Sequence, residues 1–368
     1  MQQHQSHFHY LTLASLLLVS ILLHGYRQLQ SQLIKLDCSN DVVTHEASIP
    51  VNATHLSNQL RQSGMENDIM KKKDNIDFIV AGFPKCATSA MNKNILQTQE
   101  EIEMLIKTRT RKDGTRGQIE YFLRNEKDVE ELFEHVSKTR SNTANGLELK
   151  IGIKWPTAIN GNEIRFLTYM RKLNPNGKDP NIIVGMRHPV RWFESFYNHR
   201  YRSNETIPPL SSLSDPSMFD DLSYFTKMGR FERGLVQLGK VDLSTLDLKI
   251  MSEDQRLIVP TSSKVFLYLQ EQLEDEESKQ KMYADLRIFL GLKKPIEEDL
   301  TKDHKHDLKV ILDICEPEYK ELRHVFLKSG SVTAAWIRDK LVQGRDVVIG
   351  GKEDFLRITE SWGVDPCL

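Results

Sequence analysis

Four cysteines in 368 residues, Cys38, Cys86, Cys315 and Cys367, with no C-x-x-C pair among them, offer no ligand spacing for a metal such as zinc. A G-x-x-x-x-G-K-[ST] loop is also missing, which removes the Mg²⁺-dependent nucleotide kinases that need one. Charge of either sign is barely in excess, at a net −1, so no global field draws the chain to nucleic acid or anionic lipid. Any recognition of an anion has to be local. Internal repeats are absent, and the one biased tract, the acidic residues 274–277, reads as a solvated face. Hydrophobic residues at 39% and charged residues at 27% suit a chain that buries an ordinary core.

Residues 8–26 lack Asp, Glu, Lys and Arg altogether and are about long enough to cross a hydrocarbon layer. The expected organisation is a short tail (1–7), a transmembrane signal-anchor (8–26), a polar stem (27–73) and one catalytic domain (74–368). Flanking charge does not favour a lumenal C-terminus, since Arg27 and Lys35 follow the run and only histidines precede it. Lumenal placement rests instead on two glycosylation sequons, at Asn52 and Asn204.

The apolar run 77–83, ending at Gly82, predicts a buried parallel strand, and 181–186 predicts a second, followed by a helix over 190–202. Helical spacing recurs over 129–139 and 162–173, with a strand expected at 149–153. Residues 263–273 read as strand or helix, and 279–291 as a helix closed by glycine, in a mostly helical C-terminal third. Alternating β and α predicts an α/β fold with a central parallel sheet and ligands at the carboxyl ends of its strands.

Two turns carry the chemistry. After the first strand the chain reads Gly82-Phe83-Pro84-Lys85-Cys86-Ala87-Thr88-Ser89-Ala90, leading into a helix. Small residues, two hydroxyls and a lysine at a helix N-terminus form a cradle for phosphate or sulfate. The plain alternative is an ordinary turn with Thr88 as N-cap. After the second strand, Arg187-His188-Pro189 opens a helix with Ser195 two turns in, so guanidinium and hydroxyl can converge on one phosphate. The aromatic stripe Trp192, Phe193, Phe196 and Tyr197 reads as core.

The pair of turns resembles the two phosphate-binding motifs of PAPS-dependent sulfotransferases, particularly the Golgi carbohydrate enzymes. The resemblance implies a P-loop-like three-layer fold with a helical C-terminal part. It implies PAPS as sulfuryl donor, no metal, and a glycan acceptor. Lys85, Cys86, Ala87, Thr88, Ser89 and Ala90 would bind the 5′-phosphosulfate, and Arg187 with Ser195 the 3′-phosphate. Cys86 and Ala87 stand where the family has small glycines, and Ser89 where it has Thr or Arg.

Lys154, in Lys150-Ile151-Gly152-Ile153-Lys154, is similar to a second lysine that the family places beside the transferring group. A solvent-facing lysine at a strand end is the plain reading. For the base, the family has a Glu just before two aromatics. Here the stretch is Gln118-Ile119-Glu120-Tyr121-Phe122, and Gln118, on the straight overlay, cannot accept a proton. Glu120, on the same strand face by alternation, is the candidate base, with His188 the second choice as in the cytosolic branch. The departure at Gln118 also admits a catalytically inactive lumenal protein that kept the fold.

Arg109, Arg111, Lys112 and Arg116 read as a basic surface loop, or as lining for an anionic acceptor. Cys315 and Cys367 either pair in a disulfide framing the C-terminal part or stay as buried thiols.

Overall fold

The computed structural model describes residues 75–110, 116–119, 123, 125–142, 149–156, 158, 177–202, 210–213, 240, 262–299 and 310–368. The chain divides into two units, Met1–Gln62 and Ser63–Leu368, and all described residues belong to the second. The expected anchor, the stem, both sequons and the helix expected over 162–173 lie outside the described residues. Among those that are described, no helix is long and apolar enough to cross a membrane.

Strand β1 (Phe78–Gly82) leads into α1 (Thr88–Ala90), which continues as a π turn (Met91–Ile95) and a 3-10 turn (Leu96–Thr98). Then come β2 (Ile102–Leu105), a two-stranded antiparallel hairpin of β3 (Lys107–Thr110) and β4 (Arg116–Ile119), α2 (Glu126–Asn142) and β5 (Lys150–Lys154). Next are β6 (Asn181–Met186), α3 (Pro189–Arg202), β7 (Val265–Leu269) with a 3-10 turn (Gln270–Leu273), and α4 (Glu276–Leu290). The C-terminal part is α5 (Lys320–Trp336), β8 (Val347–Ile349) and α6 (Lys352–Glu360).

The six-stranded sheet runs β2-β5-β1-β6-β7-β8, and every neighbouring pair is parallel. Both faces are covered, so its strands are apolar throughout and not alternating. Ile79 and Ala81 of β1 join a core with Val129, Leu132 and Val136 of α2, the aromatics of α3, and Phe326 of α5. Phe78 and Val80 point the other way, against Met91 and Ile95 and against Met282 and Leu286 of α4. The result is the expected three-layer α/β fold with a parallel sheet and a helical C-terminal part.

Boundaries follow local chemistry. Asp275 accepts the Ser278 backbone N–H at 2.9 Å and so starts α4, while Gly291 at φ 67 ends it in the left-handed conformation that suits glycine. Cys315 and Cys367 form a disulfide, Cα–Cα 5.3 Å. The bonded alternative therefore holds for them, whereas Cys86 is a buried free thiol.

Candidate active site

β1 lies at the switch point of the sheet, with β5 on one side and β6 on the other. At such a point the chain leaves neighbouring strands in opposite directions and opens a crevice outside their carboxyl ends. The loop after β1, Lys154 at the end of β5 and Arg187 just past β6 all stand at this edge. A cleft of about 470 Å³ at the opposite ends of the strands, bordered by Asp77, Arg140 and Lys178, contains no candidate site residue.

The loop is folded tightly over the strand ends. Lys85 (φ 71) and Ala87 (φ 54) both take the left-handed conformation, which costs a non-glycine residue about 1–2 kcal/mol. Ala87 thus sits in a conformation that glycine would adopt without that cost. The turn is tied down from two sides, by Trp192 Nε1–H donating to the Pro84 carbonyl at 2.8 Å and by the Tyr268 hydroxyl donating to the Cys86 carbonyl at 3.2 Å. The stripe Trp192, Phe193, Phe196 and Tyr197 is buried, as expected of core, and Trp192 in addition steers the loop.

Close approach of the loop depends on Gly185, level with Gly82 in the β1–β6 register. A Cβ at Gly185 would stand 2.4 Å from the Cys86 carbonyl oxygen and 2.5 Å from the Tyr268 hydroxyl. Gly185→Ala is therefore expected to destabilise the fold by roughly 1–3 kcal/mol or more. Denaturant melts of the variant check this, and a change below about 0.5 kcal/mol would mean that the loop stands off from β6.

Thr88 is not the N-cap that the plain reading supposes. Ala87 occupies that position without a side-chain bond, while Thr88 is the first helical residue and buried. The loop residues also divide their tasks. Cys86 gives its backbone N–H to the Phe83 carbonyl at 3.2 Å, and burial pushes its thiol well above the usual range, so it packs and does not react. Ser89 is exposed, and the first-turn N–H groups of a helix have no intrahelical acceptor. That leaves the stretch from Ala87 to Ala90, with half-buried Lys85, as the part of the loop able to face an anion.

Lys154 is 8% exposed and donates from Nζ to Ser89 Oγ at 2.8 Å. It is therefore not the solvent-facing lysine of the plain reading, and the fold brings Lys154 and the loop together from strands far apart in sequence. Across the edge, Arg187 is half-buried, and half-buried Ser195 lies on the second turn of α3. Glu194 accepts the Ile314 N–H at 3.2 Å, and Asn198 accepts the Ile311 and Leu312 N–H groups at 2.9 and 2.8 Å, which fastens this helix to the C-terminal segment.

Glu120 lies outside the described residues. Gln118 is in β4, opposite Thr108. Lys107, one residue before Thr108 in the same hairpin, pairs with Glu131 of α2. His188 is 6% exposed, accepts the Val190 N–H at Nδ1 at 3.3 Å, and faces the backbone of Ser361 and Val364. Burial holds its imidazole below the ordinary value, and the ring packs under the start of α3 against the C-terminal backbone.

Three residues at the edge escaped notice in the sequence: Gly185, Tyr268 and Glu271. Glu271, just beyond β7, accepts the His188 backbone N–H at Oε1 at 2.7 Å. Its signal in the sequence was a carboxylate two residues after an apolar strand, a pattern that a helix cap also produces.

No protein-family model matches the chain, and no curated relative is similar to it. Among solved structures, the crystal structure of a sulfotransferase from Alicyclobacillus acidocaldarius is similar at 19% identity and a TM-score of 0.39, over 72% of this chain and 96% of the other. What this edge can do is decided by its own loops.

Proposed function

We propose that this protein transfers a sulfuryl group from PAPS to a hydroxyl of a glycan. The observation that carries the reading is the convergence of an anion-shaped loop, a buried lysine and an arginine on one switch-point crevice. Lys154 reaches Ser89 at the helix N-terminus beyond β1, and Arg187 leaves the neighbouring strand. Two anion sites side by side suit a donor that carries a 5′-phosphosulfate and a 3′-phosphate, and one phosphate site alone would not need both.

In this reading, the acceptor oxygen attacks sulfur as the bond from sulfur to the 5′-phosphate oxygen breaks, and 3′,5′-ADP leaves. The acceptor proton passes to a base, for which Glu120 is the candidate. Sulfuryl transfer, like phosphoryl transfer, asks mostly for positioning and charge stabilisation. Lys85, Thr88, Ser89 and the first-turn N–H groups hold the phosphosulfate and offset charge on the leaving oxygen. Lys154, fixed by Ser89, faces the sulfuryl oxygens.

The compartment belongs to the same proposal. A disulfide persists where the surroundings are oxidising, and the uncharged run 8–26 suits an anchor; both support a lumenal domain, and the resemblance to Golgi carbohydrate enzymes suggests the Golgi as its compartment.

The test is acceptor-dependent release of 3′,5′-ADP from PAPS by the intact chain over a panel of glycans. Turnover with a defined acceptor supports the proposal. Donor binding without turnover on any acceptor would favour the inactive binding protein that Gln118 suggests, and no donor binding would sink the reading. Lys154→Ala is expected to lower kcat about 10²-fold while 3′,5′-ADP, which lacks the sulfuryl group, binds almost as before. Equal losses in both would make Lys154 a general anchor for the nucleotide.

A further inference from the structure

The carboxylate of Glu271 is unusually placed for a strand-end acid. It follows β7 in the 3-10 turn Gln270–Leu273, at the same edge as the loop and Arg187. Oε1 accepts the His188 backbone N–H at 2.7 Å, and so grips the peptide joining Arg187 to His188. Oε2 is buried and, among the described residues, accepts no hydrogen bond. A buried carboxylate oxygen left without a donor is costly unless the group is protonated or a cation balances it.

The surrounding charges are few. Arg187, just past β6, acts on Glu271 and favours its charged form, while Glu274, at the end of the 3-10 turn, opposes it. Cys86, on the loop after β1, is held neutral by burial. His188 is held below its ordinary value, chiefly by burial, with Arg191 and Asp365 acting on it in opposite senses. Burial is the largest influence on Glu271 and lifts it above the usual carboxylate range, against the His188 and Glu271 backbone N–H groups and Arg187.

We propose that Glu271 is a positioning residue for the donor's 3′-phosphate, holding the Arg187–His188 peptide through Oε1 and gaining a proton at Oε2 when the phosphate arrives. The inference rests on the reading of Arg187 as a phosphate ligand. An arriving phosphate engages the guanidinium and adds negative charge, so the charged carboxylate loses its balance and binds a proton from solvent. Binding that takes up a proton strengthens as pH falls, and weakens as pH rises through the interval between the free and bound values of Glu271.

The experiment is calorimetric titration of 3′,5′-ADP into the intact chain, in buffers of different ionisation enthalpy and across a pH series, for wild type, E271Q and E271A. Wild type is expected to take up about half a proton more than E271Q, with affinity changing roughly threefold more per pH unit. E271Q keeps an acceptor for the His188 N–H and loses the proton linkage. E271A loses both, and should bind at least about tenfold more weakly than E271Q at the same pH. A purely structural Glu271 would not alter the proton count.

Equal proton uptake in wild type and E271Q would overturn the proposal, as would E271A binding as tightly as E271Q. In both cases Arg187 would remain a phosphate ligand, as long as Arg187→Ala still weakened binding. No binding of 3′,5′-ADP by folded wild type would overturn the donor site and this inference together.

Discussion

Lys85→Ala is expected to lower acceptor-dependent release of 3′,5′-ADP from PAPS by about 10²–10³-fold, the usual cost of removing one preorganised donor from a site of developing charge. Lys85 stands in the turn between β1 and α1, in the left-handed conformation, on a loop anchored by Trp192 and Tyr268. Removing its side chain leaves that backbone in place, so the fold should survive and the loss should fall on the chemical step. Lys85→Arg keeps the charge on a longer, planar group and should recover part of the rate. The readout is kcat with saturating PAPS beside the affinity for 3′,5′-ADP. A variant with unchanged turnover would remove the loop from the mechanism, and one that loses nucleotide binding as severely as turnover would make Lys85 a binding residue.

Replacing Cys315 and Cys367 by serine is expected to cost about 4 kcal/mol, the loop-closure value for a crosslink between residues 52 apart. In a domain of this size that lowers the melting midpoint by roughly 6–7 °C. The disulfide lies beside contacts that hold the donor-side helix. Arg191 of α3 reaches Cys315 Sγ at 3.5 Å and donates to the Pro366 carbonyl at 3.1 Å. Arg323, only 7% exposed at its side chain, donates to Asp365 at 2.9 Å and to the Ile314 carbonyl at 2.8 Å. Loosening the C-terminal segment should therefore also weaken nucleotide binding through Ser195 on α3. Calorimetric melts of the parent, the double variant and the reduced parent test this. A difference under about 1 kcal/mol would mean that these polar contacts hold the segment without the crosslink.

Much of the scaffold was legible because parallel strands covered on both faces are written as short unbroken apolar runs. The run 181–186 coincides with β6, and Gly291 closes α4 as a C-cap glycine should. Short elements were not legible. β2 and β8 have too few residues for a period to show, and they are strands because β5 and β7 offer them open edges to pair with. Residues 263–273 were ambiguous for the same reason. Five buried residues of β7 suit either a strand or a buried helix until a neighbouring strand takes up their backbone groups.

By itself, the sequence determined the two strand-end turns proposed to hold phosphate and the strand-then-helix order that puts each at a strand's carboxyl end, since these depend on local residue chemistry and spacing. Tertiary structure alone decided that Lys154 is buried against Ser89, that His188 packs against the backbone of Ser361 and Val364, that Glu271 grips the turn after Arg187, and that Cys315 is bonded to Cys367. Each of these joins residues distant in the chain, and the Lys154 and Glu271 contacts follow from the strand order β5-β1-β6-β7, which spacing along a single segment does not encode.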